Sequence, residues 1–336
     1  MRVLVTGGAG YIGSVSAEVL LREGHDVVVL DDLSTGHRAA VPEGASLEVG
    51  SYGETTAVDD LFARQAFDAI LHCAARSLVG ESVRDPARYY RDNVAGGIAL
   101  LEAARGHGVK RFVFSSTASV YGTPRETPIR EDADLRPINP YGETKRTFEG
   151  ALAWYAEAYG FRSVSLRYFN AAGASEALGE DHRPETHLIP IVLRAAMAGD
   201  EVTVFGDDYR TPDGTCIRDY IHVLDLARAH LLALEATAPD DPRTGKPGEP
   251  AAALVCNLGS GRGYSVREVL TAAERAIGRP IAQRVGPRRA GDPPVLVASS
   301  DRAREVLGWT ARQDSLEAMI DSAWAWQRRH PEGYAE

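Results

Sequence analysis

The chain has 336 residues, of which 44% are hydrophobic and 25% charged, enough for a large core and two lobes. A formal net charge of -10 argues against nucleic acid or an anionic membrane as partner, yet leaves room for a local basic pocket that takes a phosphorylated small molecule. Cys73, Cys216 and Cys256 are widely spaced; they fit a reducing compartment and offer no CxxC pair or Cys/His cluster at ligand spacing, so no metal is expected.

Taken in chain order, the expected elements begin with a strand at Arg2–Thr6, with no charged leader and cleavage site before it. No apolar run approaches the ~18 residues that would cross a bilayer, so a cytoplasmic location is expected. Further strands are read at Asp26–Leu30, Ser46–Val49, Ala69–His72, Arg111–Ser115 and Ser163–Arg167. Helical patterns fall between them at Ile12–Glu23, Pro86–Gly106 and Tyr141–Tyr159. Such alternation predicts an α/β fold, a Rossmann-type doubly wound parallel sheet. After Asn170 the rhythm breaks. Ala171–Glu185 reads as a loop, followed by a helix at Ile189–Ala198, a strand at Thr203–Phe205, a surface loop at Pro239–Pro250 and a strand at Ala253–Asn257. Helices close the chain at Ser265–Ala276, Asp301–Leu307 and Ser315–Arg328. The expected division is a sheet domain over 1–170, onto which 219–258 packs back, and a smaller C-terminal α/β lobe, mainly 171–336, that holds the substrate.

Gly8-Ala9-Gly10-Tyr11-Ile12-Gly13 matches GxGxxG, and Gly7, Gly10 and Gly13 repeat at every third residue. One glycine allows the tight turn, one lets backbone approach a pyrophosphate, and one lets helix and strand pack closely. The match follows a strand and opens a helix whose first N–H groups can meet the phosphates. Asp31 ends the second strand, 21 residues after Gly10. A carboxylate there can bind both adenosine ribose hydroxyls and would repel a 2′-phosphate, which favours NAD over NADP.

Asn139-Pro140-Tyr141 begins a helix, with Asn139 as N-cap and Pro140 at the first helical position. Tyr141 and Lys145, four apart, share one face. An ammonium and the positive end of a helix both favour phenolate, so the pair is expected to lower the tyrosine pKa toward a working base. The hydroxyl-rich end of the fifth strand, Ser115-Ser116-Thr117, supplies a third partner, with Thr117 as first choice and Ser116 as the alternative.

These segments resemble the extended short-chain dehydrogenase/reductase family, and the resemblance narrows to its bacterial UDP-glucose 4-epimerases. It is carried by Thr6–Gly13, Asp31–Ser34, His72–Val83, Ser115–Gly122, Tyr141–Lys145, Tyr168–Gly173, Arg218–Asp225, Asn257–Gly261 and Arg288–Asp292. It implies a resident NAD, removal of a proton from the sugar 4-hydroxyl by Tyr141, hydride transfer from C4, rotation of the 4-keto sugar, and return of both to the other face. The implied cofactor contacts are Gly7, Gly10, Tyr11, Ile12, Gly13, Asp31, Asp32, Ser34, Asn93, Tyr141, Lys145 and Tyr168. The implied UDP-sugar contacts are Thr117, Asn170, His187, Leu188, Phe205, Arg218, Tyr220, Arg289, Asp292 and Leu296. Arg218 and Arg289 would take the diphosphate, Asp292 the uridine ribose, and Leu188, Phe205 and Tyr220 the uracil pocket. A homodimer through Pro86–Gly106 and Tyr141–Tyr159 is implied as well.

The pattern has departures. His187 stands where well-known members have asparagine, Ser77 replaces a lysine near the cofactor, and Ser51 replaces an aspartate near adenine. Leu296 occupies the position that limits room around the sugar C2 substituent, so some activity on UDP-N-acetylhexosamines is expected beside the UDP-glucose/UDP-galactose pair. Alternatives remain: a 4-epimerase of UDP-pentoses or uronates, a 4,6-dehydratase or decarboxylase, and an NAD-binding regulator. Ala118 and Ser119 lack the acid and base that a 4,6-dehydratase needs.

Overall fold

The structure, a computed structural model, describes residues 1–245, 251–289 and 292–335. Residues 246–250 of the expected Pro239–Pro250 loop and 290–291 of the Arg288–Asp292 segment lie outside them. In chain order the elements begin β1 (Arg2–Thr6), α1 (Tyr11–Arg22), β2 (Asp26–Asp31), β3 (Ser46–Val49), α2 (Thr55–Arg64), β4 (Ala69–His72), α3 (Val79–Arg84) and α4 (Pro86–Tyr89). They continue with α5 (Gly97–Gly106), β5 (Arg111–Thr117), α6 (Pro140–Tyr159), β6 (Arg162–Tyr168), β7 (Asn170–Ala172), α7 (Leu188–Ala198), β8 (Val202–Phe205) and β9 (Ile217–His222). The last are α8 (Val223–Ala236), β10 (Ala253–Leu258), β11 (Gly263–Ser265), α9 (Val266–Ile277), β12 (Gln283–Gly286), β13 (Val295–Leu296), α10 (Asp301–Leu307) and α11 (Leu316–Arg329).

Seven strands form one sheet in the order β10-β6-β5-β4-β1-β2-β3, every pair parallel. Parallel strands are covered on both faces, which explains the unbroken apolar runs Val3-Leu4-Val5 and Val27-Val28-Val29, all fully buried. Side chains alternate across the sheet. Val3, Val5 and Leu71 face the cluster holding Leu20 of α1 and Leu226 of α8, whereas Leu4, Val28 and Ile70 face Leu61, Leu101 and Phe148. Burying each of these large side chains contributes about 2 kcal/mol. β10 joins this sheet at β6 although it lies some 85 residues later, and α8 packs on α1.

The order reverses between β1 and β4, the switch point where ligands meet the carboxyl ends of open parallel sheets. The other lobe is smaller and less regular. β9 pairs with β7, β11 and β13, while β8 pairs with β12 alone. Its core gathers α7, α9 and α11 around Val192, Leu193, Val269, Met319 and Ile320.

Two expectations change. Pro86–Gly106 is not one regular helix: residues 90–96 form a wider π-helical turn between α4 and α5. That turn carries the buried Asn93, whose side chain bonds two other segments. The helices α2, α3 and α8 and the strands β7, β9, β11, β12 and β13 were not anticipated, several being only two to four residues long and defined by distant partners.

Candidate active site

Three glycines shape the turn after β1. Gly7 has a φ of +71°, and a Cβ there would lie 2.5 Å from Ala74 N. A Cβ on Gly13 would lie 2.1 Å from Gly7 O, so α1 seats against the turn only without one. Gly10 differs. Its backbone is extended, and a Cβ would meet nothing closer than Gly7 O at 3.4 Å, so that side is open. Gly10 is the N-cap of α1 without a side-chain bond, and the first turn holds no acidic residue. The leading N–H groups, those of Tyr11, Ile12 and Gly13, therefore begin a helix suited to anionic phosphate.

Asp31 is buried at the end of β2, its Oδ2 accepting from Ala9 N at 3.0 Å and its Oδ1 from Leu33 N at 2.9 Å. Burial pushes its pKa up against these two bonds. Asp32 accepts from Ser34 N at 2.9 Å, which closes the following turn. The Tyr168 hydroxyl is buried with no hydrogen-bond partner. An open cradle at a helix N-terminus, a carboxylate at the end of β2 and an orphaned buried hydroxyl all fit a dinucleotide. Asn93, expected at the cofactor, also bonds protein groups. Both its amide hydrogens go to protein, to Arg76 O at 3.0 Å and Thr144 Oγ1 at 3.1 Å, and its oxygen accepts from Arg76 N. It ties the loop after β4 to α6.

Asn139 Oδ1 accepts from Gly142 N at 2.8 Å and Pro140 opens α6, so the cap read from sequence forms. Lys145 is buried and donates to Ser115 O at 2.7 Å, with its Nζ 4.7 Å from the Phe114 ring and 6.0 Å from the Tyr141 ring. Burial lowers its pKa to about 8. Tyr141 corrects the sequence argument. Burial raises its pKa, opposed by a hydrogen bond from Thr117 rather than by Lys145. The physical reason is that the ammonium bonds a main-chain oxygen, while the protein around the half-buried Tyr141 desolvates the phenol.

Thr117 and Ser116, open alternatives in the sequence, separate by strand alternation. Thr117 meets Tyr141 and accepts from Ser119 N at 3.1 Å. Ser116 points the other way and donates to Glu149 Oε1 at 2.5 Å, beside the buried Glu149–Arg167 pair.

On the other lobe, β9 organises the expected nucleotide contacts. Asn170 lies opposite Tyr220 in the β7–β9 register. Arg218 lies opposite Leu296 in the β9–β13 register and pairs with Asp292. The Arg289 guanidinium lies 4.2 Å from the Phe205 ring centroid, at the end of β8. Leu296 packs beside Val120, Tyr121 and Phe169. Leu188 is the first residue of α7. His187 stands apart, its Nδ1 2.7 Å from Glu180 Oε1 and 3.1 Å from Glu185 Oε1. Sequence reading missed Asp219. This buried carboxylate accepts from the N–H groups of Ser260, Gly261 and Ala298, which ties β9 to the segments after β10 and β13. Its place inside Arg218-Asp219-Tyr220 was the available signal.

Residues 3–245 match the NAD dependent epimerase/dehydratase family. The chain belongs to that family. It is 48% identical to a UDP-glucose 4-epimerase of Halalkalibacterium halodurans, over 100% of this chain and 98% of that one. It is similar to the crystal structure of UDP-glucose 4-epimerase from Brucella ovis in complex with NAD, with a TM-score of 0.90 and 47% identity over 96% and 97% of the two chains. The Bifidobacterium longum enzyme in complex with NAD+ and UDP gives a TM-score of 0.91 and 37% identity over 99% and 100%. As an epimerase/dehydratase family member, the chain is an NAD-dependent enzyme on a Rossmann-type sheet.

Proposed function

We propose that the chain is a UDP-glucose 4-epimerase that interconverts UDP-galactose and UDP-glucose. The observation that carries this is the buried Lys145 one turn after Tyr141 on α6, held to the hydroxyl-bearing end of β5 through Ser115 O, in a chain matching such epimerases end to end. When bound, NAD supplies the acceptor and donor of the hydride at sugar C4 and adds positive charge to the site. Tyr141 takes the 4-hydroxyl proton and later returns it, and Thr117 holds the phenol and the sugar oxygen in line. Lys145 holds a cation within reach of the phenol. Buried surroundings strengthen that field, because little water screens it.

The nucleotide half is held by the other lobe. Arg218, freed from Asp292 or shared with it, and Arg289 above Phe205 present forked donors to the diphosphate. Asp292 then accepts from the uridine ribose, while Tyr220, Asn170 and Leu188 line the approach. A firm grip on UDP and a loose one on the sugar let the 4-keto ring turn over between transfers. Leu296, packed beside Phe169, sets the room near C2 and admits UDP-N-acetylhexosamines as poorer substrates. Among the cofactor contacts, Gly7, Gly10, Tyr11, Ile12 and Gly13 take the pyrophosphate, Asp31, Asp32 and Ser34 the adenosine side, and Tyr168 with Lys145 the nicotinamide side.

Trp154 and Tyr159 on α6, with Val83 and Tyr90 near α4, are exposed large apolar side chains, Trp154 at 74% exposure. They suit a homodimer through these helices. The three cysteines are free, which suits the cytoplasm, and no described helix is long and apolar enough to cross a membrane. The test is incubation of the purified chain with UDP-galactose and no added NAD, with the products separated. UDP-glucose is expected; its absence overturns the reading.

A further inference from the structure

The loop between β7 and α7 carries a second cluster of chemistry, of which only His187 is an expected substrate contact. Glu180, His182, Glu185 and His187 each bring one ligand-type atom to a common point, all within 4.8 Å of one another. His187 Nδ1 lies 2.7 Å from Glu180 Oε1, and His182 Nδ1 lies 3.1 Å from the same oxygen and 3.8 Å from Glu185 Oε2. The chain offers no Cys/His cluster at ligand spacing, but here the pattern Glu-x-His-x-x-Glu-x-His alternates carboxylates with imidazoles.

Hydrogen bonding inside the cluster is incomplete. His182 Nδ1 and Glu185 Oε2 are buried and have no aligned hydrogen-bond partner. The Glu185 side chain is only 5% exposed, so its free oxygen is aimed into the cluster with no access to bulk water. Its other oxygen is occupied, accepting from Thr186 N at 2.7 Å and His187 N at 2.8 Å. Those bonds orient the carboxylate, as outer-shell bonds do for a metal ligand, and leave Oε2 toward the His182 imidazole, while Oε1 also lies 3.1 Å from His187 Nδ1. Unsatisfied buried polar atoms are costly and call for a partner.

We propose that Glu180, His182, Glu185 and His187 bind one divalent transition-metal ion, zinc being the best match, as a structural clip on the loop before α7. Two imidazoles and two carboxylates form a closed set of four nitrogen and oxygen donors, the composition zinc takes in tetrahedral geometry. Zinc–ligand bonds of about 2.0–2.2 Å place tetrahedral donor atoms about 3.4 Å apart. The spacings seen here, from 2.7 Å up to 4.8 Å, straddle that value, so entry requires only local side-chain shifts. Two carboxylates also balance the ion's charge. The half-exposed His187 leaves a path from solvent. One cation competes weakly: the Arg194 guanidinium is 4.0 Å from Glu185 Oε2, but its hydrogen bond goes to Asp181 at 2.9 Å.

The clip sits where the two lobes meet. The Tyr11 hydroxyl, beside the glycine turn, donates to Gly173 O at 2.6 Å, and its ring meets His182 edge-on at 6.4 Å. His37, on the loop after β2, lies 3.0 Å from Asp181 O. Holding this loop therefore holds the first helix of the nucleotide lobe against the cofactor turn. The proposal is independent of the reaction assigned above.

The test uses the full chain loaded with zinc or cobalt and passed over a chelating resin. About one zinc per chain by elemental analysis is expected, with visible absorption bands of tetrahedral cobalt and a melting temperature a few degrees higher with zinc than after chelation. His182→Ala and Glu185→Gln, each checked for native circular dichroism, should lose the metal, the cobalt bands and the zinc-dependent rise. Wild-type protein that retains no metal, or a folded variant that keeps the cobalt spectrum, overturns the proposal.

Discussion

The two lobes are built by different rules. In the sheet lobe, β1, β3, β4 and β5 each lead on to a helix, and β1, β2, β4, β5 and β6 stack in parallel with both faces covered. In the other lobe the strands have two to six residues, and β9 is held by partners on both sides of it in sequence. The first lobe places a few reacting groups rigidly at one sheet edge. The second brings Asn170, Phe205, Arg218, Arg289 and Asp292, the residues proposed to bind UDP, together from over more than a hundred residues. The division implies that changes at the sheet edge act on turnover and changes around β9 act on affinity.

The strongest challenge to this division is Tyr141→Phe. Turnover should fall about 10³-fold, with UDP affinity by calorimetry unchanged; a matching loss of UDP affinity would erase the distinction. Next comes Lys145→Met, which probes the cost of a rigid site. The folded pKa of about 8 lies below the unfolded value near 10.4. Between those two pH values the unfolded state binds more protons, so this group makes stability rise with pH there, and its full penalty applies below pH 8. The cofactor-stripped variant should be more stable than wild type at pH 7 by at most about 3 kcal/mol, less the lost bond to Ser115 O. That gap should close by pH 10 in urea unfolding, while turnover is lost.

Arg218→Ala should raise KM for UDP-galactose about 30-fold, or roughly 2 kcal/mol, with turnover within a few-fold of wild type. An unchanged KM would remove β9 from the binding surface. Gly10→Ala should fold normally, since its Cβ meets only Gly7 O at 3.4 Å, yet retain NAD about tenfold less tightly because the methyl enters the cradle. Normal retention, measured by cofactor release on denaturation, would place the pyrophosphate elsewhere. Smallest is Ser116→Ala, which removes a bond to buried Glu149 and should lower stability by about 1 kcal/mol. Its turnover should match wild type, in contrast to Thr117→Val; equal losses in the two would undo the separation drawn from strand alternation.

How much was legible in sequence follows the same line. The strands Ser46–Val49 and Ala69–His72 and the helix Asp301–Leu307 match their expected limits, because local apolar runs and caps define them. β7 and β13 were not legible, since three and two residues carry no period and exist only through pairing with β9. The Pro86–Gly106 segment looked like one helix because its hydrophobic pattern is nearly continuous, whereas the bonds of Asn93 to Arg76 and Thr144 accompany a wider turn.

The sequence by itself determined the glycine turn after β1, the carboxylate ending β2, and the cap and register that put Tyr141 and Lys145 on one face of α6. Each depends on neighbours a few residues away, where backbone sterics and helical spacing leave little choice. Tertiary structure decided which hydroxyl meets Tyr141, that burial raises rather than lowers its pKa, that Arg218 meets Asp292, and that two histidines converge with two glutamates. Those outcomes depend on desolvation and on contacts between distant segments, which exist only once the chain has packed.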